Sequence, residues 1–359
     1  MHRTLTFAGF QLLRRLDPER AHDLSLRGIR LGLVGRAAEA NDAILQVSAL
    51  GLTFRNPIGL AAGFDKNAVA VAGLARLGFG FVETGTVTPR PQRGNPRPRL
   101  FRLKEDGAII NRLGFNNLGL APFLKRLGPK SRHAVPVGAN VGINSQGADP
   151  ERDYLDLVSA VSAQADYVVI NVSSPNTAGL RALQTPARLR ALLRSVSSRT
   201  ESACPLLVKI SPDLTESELE ALIDICVSNG VQGLVVSNTT LARTPALRSP
   251  RRGEAGGLSG TPLFAQSTAV LARAHKLARG RLTLIGVGGV RTGADAFAKI
   301  QAGAHLVQLY TAFAYEGPNL LPRVMRELAT ELRKCGFSRI EDAVGSDVSR
   351  LANLVEMDR

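Results

Sequence analysis

Apolar runs of strand length alternate with amphipathic helical stretches along most of the chain. The runs at 58–62, 80–84, 135–141, 167–172, 206–210, 233–237, 282–287 and 306–310 are nearly continuous in apolar residues. That is the pattern of strands buried on both faces of a parallel sheet. Helical spacing fills the intervals near 66–77, 117–127, 151–164, 186–199, 216–229, 263–279 and 292–302, and recurs near 319–334. Eight such units predict an α/β fold, a closed (β/α)8 TIM barrel in preference to an open doubly wound sheet. The two longest insertions, roughly 88–116 and 238–262, follow the second and sixth strands. Both start at the strand ends where barrel enzymes place their chemistry.

Two helical patterns precede the barrel as a small extension. In the first, Leu5, Phe7, Ala8, Phe10, Leu12, Leu13 and Leu16 form a broad apolar surface bounded by Arg3, Arg14 and Arg15. Asp17-Pro18-Glu19 then restarts the chain, with an N-cap, a proline suited to the first turn and an acid suited to the positive helix end. Two helices of this length cannot bury a core alone, so they must lie on something. Residues 44–47 and 52–54 read as a short hairpin. The expected division is 1–40 as a helical extension, 41–340 as the barrel and 341–359 as a C-terminal tail.

Composition narrows the class. The 359 residues are 44% hydrophobic and 21% charged, ordinary for a folded chain and far from the signature of disorder. Cys204, Cys226 and Cys335 are odd in number and have no C-x-x-C spacing, which argues against a disulfide scaffold and a zinc site. They read as packing residues, and no metal is expected. Lys and Arg number 45 against 30 acids, a net charge of +15 that points to an anionic partner. Aromatics are only 5% and no nucleic-acid-binding motif is present, so nucleic acid is not the expected partner. No apolar run is long enough to span a bilayer, and Arg14 and Arg15 break the N-terminal stretch too early for a signal peptide.

The strand ends carry a repeated chemistry. Ala62-Gly63-Phe64-Asp65-Lys66, Glu83-Thr84-Gly85-Thr86, Asn140, Asn171, Lys209, Ser237-Asn238-Thr239, Gly288-Gly289 and Tyr310-Thr311 put carboxamides, hydroxyls, glycines and two lysines on one rim with few acids. Such a rim suits a planar polar ligand bearing an anionic group. Gly288 and Gly289, in the seventh unit, suit a barrel phosphate site, with Thr311 as a cap for the helix after strand eight. Any one of these strings is equally compatible with an ordinary turn. Their recurrence at all eight strand ends is what favours a site. The run Arg90, Arg93, Arg97, Arg99, Arg102, Lys104 reads as a solvated loop, or one lying near a membrane or over the site. His22, His133, His275 and His305 read as surface or core.

The strings Gly85-Thr86-Val87-Thr88-Pro89-Arg90-Pro91-Gln92, Asn111-Arg112-Leu113-Gly114-Phe115-Asn116-Asn117, Asn171-Val172-Ser173-Ser174-Pro175-Asn176-Thr177 and Gly286-Val287-Gly288-Gly289 together resemble the dihydroorotate dehydrogenase family, from about residue 44 to the last helix. Leu16-Asp17-Pro18-Glu19-Arg20-Ala21-His22 resembles its membrane-associated, quinone-using class 2 branch. The resemblance implies an FMN-bearing barrel that oxidises (S)-dihydroorotate to orotate in pyrimidine synthesis. It implies FMN contacts at Ala62, Gly63, Phe64, Asp65, Lys66, Thr86, Asn140, Asn171, Lys209, Ser237, Gly260, Gly289, Tyr310 and Thr311. Substrate contacts would be Lys66, Asn111, Arg112, Leu113, Gly114, Phe115, Asn171, Asn176, Asn238 and Thr239, with Ser174 as the base. Position 237 is commonly threonine in the family; serine keeps the hydroxyl. A serine is a poor base at its free pKa, so its proton needs a route onward, for which Thr177 and a water chain are candidates.

The resemblance further implies a peripheral location on the cytoplasmic face of the cell membrane, held on anionic lipid by the apolar faces of residues 1–40 and their seven arginines against four acids. Two other enzymes remain open. One is a flavin barrel reducing uracil rings in RNA, as tRNA dihydrouridine synthases do, but no RNA-binding appendage follows the barrel. The other is the cytosolic, non-quinone branch, whose base is cysteine; no cysteine lies in the loop that follows strand four, and Cys204 comes only just before strand five.

Overall fold

The computed structural model describes residues 13, 15–35, 42–197 and 204–354. Most of the first helical pattern lies outside these residues. Eight strands close into a barrel in sequence order: β1 (Ile58–Leu60), β2 (Phe81–Val87), β3 (Val137–Val141), β4 (Tyr167–Asn171), β5 (Leu206–Ile210), β6 (Gly233–Val236), β7 (Thr283–Val287) and β8 (Leu306–Leu309). Every neighbouring pair is parallel, including the closing pair of β8 with β1. The expected (β/α)8 TIM barrel is the fold.

Large rings fill the barrel where neighbouring strands carry glycine. A Cβ on Gly59 of β1 would sit 2.3 Å from the Phe81 ring, and one on Gly138 of β3 would sit 2.2 Å from the Tyr167 ring. Phe54, on a hairpin preceding β1, packs edge-on against Phe81 and closes the N-terminal end. That hairpin pairs Val47–Ala49 with Leu52–Phe54. Its first strand lies later than expected, because Asp42 caps a 3-10 turn over Ala43–Leu45 that buries Ile44 and Leu45 instead.

The helices are α1 (Pro18–Arg30), α2 (Val71–Arg76), α3 (Leu120–Leu127), α4 (Pro150–Ser162), α5 (Pro186–Ser197), α6 (Glu216–Ser228), α7 (Phe264–Ala278), α8 (Gly293–Gln301), α9 (Thr311–Glu316), α10 (Leu320–Lys334) and α11 (Val348–Leu351). Local signals set their starts. Asp17 accepts the N–H groups of Glu19 and Arg20, and Thr215–Glu218 and Thr292–Asp295 form reciprocal capping boxes. The helix expected from residue 66 begins only at Val71, because the Asp65 carboxylate accepts from Val69 and Ala70 N–H and holds a turn there.

The C-terminal segment packs on the barrel: Ile340, Ala343, Leu351 and Ala352 are buried. Two further expectations change. Cys335, expected to pack, is exposed just past α10, whereas Cys226 is buried. Thr311 does not cap α9 but is its first residue, and its hydroxyl lies 2.9 Å from that of Ser259.

The two long insertions form one antiparallel sheet. Strands Leu100–Leu103 and Ala108–Asn111, after β2, pair with each other, and the second pairs with Gly257–Gly260, after β6.

Candidate active site

A cavity of about 1060 Å³ opens at the C-terminal ends of the strands, beneath that outer sheet. Ala62, Gly63 and Lys66 after β1, Thr86 of β2, Asn171 of β4, Lys209 of β5, Ser237 after β6, Gly260, Gly289, Tyr310 and Thr311 line it. So do Asn111, Leu113, Gly114, Phe115, Ser174, Asn176, Asn238 and Thr239. Four other candidates are set back from it. Asp65 staples the turn described above. Phe64 packs its ring against those of His22, Tyr310 and Phe313. Asn140 lies beneath the cavity floor, and Arg112 turns outward to pair with Glu254 at 2.9 Å. Alternation along an extended segment explains the last case, since Asn111 and Leu113 face inward and Arg112 between them cannot.

A chain of amides and hydroxyls fixes the floor. Thr86 donates to Asn140 Oδ1 at 2.5 Å, and Asn171 Nδ2 donates to both Thr86 Oγ1 at 3.1 Å and Asn140 Oδ1 at 3.2 Å. Asn140 in turn donates to Glu83 at 2.8 Å, and Gln308 donates to the other Glu83 oxygen at 2.6 Å. Nearer the opening, Asn238 donates to Asn171 Oδ1 and Asn176 donates to Asn111 Oδ1. Four carboxamides therefore meet across one cavity from three stretches of chain: Asn171 and Asn176 at the end of β4, Asn111 in the insertion after β2 and Asn238 after β6. The ring of Phe115, at φ +54°, occupies space that a Cβ on Gly142 would enter at 2.9 Å.

The electrostatics favour an anion. Lys66 and Lys209 line the cavity, and neither ammonium has a hydrogen-bond or ion-pair partner among the described residues. Burial lowers the pKa of Lys66 to about 8 despite the fields of Glu19 and Asp23. Burial likewise lowers that of Lys209, opposed by the buried Glu83. Lys209 is buried and Lys66 half-buried, and unpaired cations in such places are costly unless a ligand supplies the negative charge.

Ser174 is buried at the cavity wall, and its Oγ accepts the Asn176 N–H at 3.3 Å. The Thr177 hydroxyl is buried nearby without a partner among the described residues. One ion pair ties this loop to its neighbours. Arg181 donates to the Ser173 carbonyl at 3.2 Å, to the Thr239 carbonyl at 3.0 Å and to Asp213 at 2.8 Å, while Asp213 also accepts from the Thr240 hydroxyl.

Sequence reasoning missed several of these residues. His22, read as surface or core, packs edge-on at 4.8 Å against Phe64; burial beside Lys66 lowers its pKa to about 3, so it is neutral. In the sequence Glu83 is only part of a polar strand end, and Gln308 sits inside an apolar run. Arg181 and Asp213 carry no local motif. The basic run from Arg90 to Lys104 is exposed at Arg90, Arg93, Arg97 and Lys104, as a solvated loop is, but it is also anchored to the N-terminal helix. Arg99 is buried against Glu19, Arg97 joins the same carboxylate, and Arg102 donates to the Leu16 carbonyl.

A sequence model described as dihydroorotate dehydrogenase matches residues 44–332. Similar proteins include a dihydroorotate dehydrogenase (quinone) of Azorhizobium caulinodans, 50% identical over 92% of this chain and 96% of its own length. The mitochondrial dihydroorotate dehydrogenase (quinone) of Mus musculus is 48% identical over 94% of this chain and 89% of its own. Among solved structures, DHODH from Eimeria tenella in complex with ferulenol superposes with a TM-score of 0.89 at 41% identity, over 94% of this chain and 98% of that one.

Proposed function

Because the chain belongs to the dihydroorotate dehydrogenase family and its relatives bear the quinone-dependent name, it oxidises dihydroorotate with a quinone as electron acceptor in pyrimidine biosynthesis; we propose that it does so on bound FMN, with Ser174 as the base. The observation that carries this reading is one cavity in which Ser174 shares the walls with four carboxamides and two lysines that have no ion-pair partner among the described residues.

The residues present fit FMN. Lys209 offers an unpaired cation at the cavity floor. The turn at Gly288–Gly289 brings backbone so close to α7 that a Cβ on Gly289 would meet Phe264 at 2.5 Å. Ala62, Gly63, Lys66, Thr86, Asn171, Ser237, Gly260, Tyr310 and Thr311 complete the proposed cradle, with Asn140, Phe64 and Asp65 supporting it from behind. These residues would hold FMN, which when bound would supply the acceptor for the hydride leaving C6 of dihydroorotate.

This chain's residues do the rest. Asn111, Asn171, Asn176 and Asn238 offer both donors and acceptors to a pyrimidine ring, and Lys66 offers a cation to its carboxylate. Leu113, Gly114, Phe115 and Thr239 close the walls, and Arg112 braces them through Glu254. Ser174 takes the C5 proton as the C5–H bond breaks and the C5=C6 bond forms. The unpartnered Thr177 hydroxyl is the group beside it for passing that proton outward. Lys209 stabilises negative charge at the cavity floor, and Glu83 and Asn140 hold that floor in place.

Membrane contact is the second part of the proposal. Among the described residues no helix is long and apolar enough to cross a membrane. Leu24 of α1 and Leu16, Leu31 and Leu33 around it are exposed, beside a surplus of arginines. That combination suits peripheral attachment of residues 1–40 to anionic lipid on the cytoplasmic face of the cell membrane. A lipid-soluble quinone would approach past α1. The test is anaerobic. Dihydroorotate should bleach the yellow protein, and a quinone should restore the colour. Protein without flavin, or colour restored by fumarate and not by quinone, would overturn the reading.

A further inference from the structure

Lys299 of α8 is completely buried, and the proposed chemistry makes no use of it. Its ammonium donates to Ser267 Oγ at 2.7 Å and lies 5.0 Å from the centre of the Phe264 ring. Among the described residues no carboxylate pairs with it. Asp295, one turn earlier, reaches it only through its field and spends its carboxylate on the N–H groups of Arg291 and Thr292. An unpaired ammonium in such a place is costly unless an anion nearby balances it. The N-terminus of α7 at Phe264 adds its own positive end to the same region.

The hydrogen bonds define a direction. An ammonium has only donors, so Ser267 Oγ accepts from Lys299 and must turn its own proton to a carbonyl. The carbonyls in reach are Gly288 and Phe264, each at 3.1 Å. A trans peptide sets its C=O and the following N–H on opposite sides. Holding the Gly288 carbonyl toward Ser267 therefore turns the Gly289 N–H the other way, and both glycines line the cavity. The turn has no slack. Both glycines have positive φ, and a Cβ on Gly288 would sit 2.6 Å from Ser267 Oγ.

We propose that Lys299 is a positioning residue for the phosphate of the bound flavin nucleotide: acting through Ser267, it aims the Gly288–Gly289 turn and supplies a buried positive charge, so that the site prefers a phosphorylated flavin to riboflavin. The inference rests on the FMN reading above. Burial pushes the Lys299 ammonium toward its neutral form, and a phosphate dianion beyond the turn opposes that.

The experiment measures both flavins on the full-length chain after its own flavin is stripped. FMN and riboflavin are titrated by fluorescence quenching against wild type, Lys299→Met and Ser267→Ala. Lys299→Met should raise the Kd for FMN about tenfold and leave that for riboflavin within about twofold. Ser267→Ala should move the same ratio in the same direction, and the 31P resonance of bound FMN should shift in both variants. Equal weakening of the two flavins would mark a packing role and overturn the proposal, as would an unchanged Kd for FMN. If Lys299→Met does not fold, the ratio for Ser267→Ala decides. A wild-type chain that binds neither flavin would bring down the FMN reading itself, and this inference with it.

Discussion

The carboxylate of Glu19 lies 2.5 Å from the guanidinium of Arg99 and 2.9 Å from that of Arg97. A residue of the N-terminal helix is thus the anion on which the basic loop after β2 closes. Arg99 also donates to the Arg93 and Asn95 carbonyls, so the pair folds the loop as well as docking the helix.

Glu19→Gln should destabilise the protein by about 3 kcal/mol, because it leaves the buried Arg99 without its counter-ion. Burial alone would raise the Glu19 pKa, but the hydrogen bonds from Arg99 and Arg97 outweigh it and hold the group at about 2, against 4.5 when free. A depressed carboxylate stabilises the folded state above its unfolded pKa. The wild-type advantage over Glu19→Gln should be full above about pH 4.5 and fade as pH falls toward 2. Urea midpoints of the two proteins across that window check both claims.

Ser174→Ala should keep its flavin and reduce it about 10²–10⁴-fold more slowly with dihydroorotate. Stopped-flow bleaching under anaerobic conditions reads this directly. Ser174→Cys should instead move the pH profile downward, because a thiol loses its proton more readily. A wild-type rate in Ser174→Ala at every pH would remove the base assignment.

Lys209→Ala and Glu83→Gln should shift the flavin potential in opposite directions. Loss of the cation destabilises the reduced, negatively charged ring and lowers the potential. Loss of the buried carboxylate beneath it raises the potential. Shifts on the order of 30 mV correspond to about 1.4 kcal/mol for a two-electron couple. Equilibrium titration against a reference dye measures each.

Two truncations separate docking from quinone access. Deleting residues 1–16 leaves Glu19 on Arg99, so dihydroorotate should still bleach the flavin while long-tailed quinones reoxidise it poorly. Deleting 1–40 removes Glu19 as well and should add a loss of thermal stability. Binding of the intact chain to anionic vesicles should exceed that of either truncation and weaken in high salt. Normal turnover with long-tailed quinones after the shorter deletion would sink the proposed route.

The barrel was legible because each strand is a near-continuous apolar run whose end carries polar residues. Most of the site was legible for the same reason, since Asn171, Lys209 and Ser237 follow directly from where their strands stop. What escaped depends on pairing across distance. Glu19 and Arg99 are far apart in the chain, and nothing local in either joins them. Phe64 and Asp65 sit within a string whose neighbours Gly63 and Lys66 line the cavity, yet the turn at Asp65 directs these two inward. Gln308 looks like an interruption of β8 until Glu83 is found opposite it.

Asn111 ends the strand Ala108–Asn111, which is registered against Gly257–Gly260 with Asn111 opposite Gly257. A slip of one residue would reverse every side chain on that strand. Asn111 would leave the cavity, and Ile110 would replace a carboxamide with a hydrocarbon. Insertions and deletions in the two long loops are therefore not independent: a change of length in one survives only if the other keeps this alignment. The proposed grip on a pyrimidine ring is in that sense inherited jointly by two separate stretches of chain.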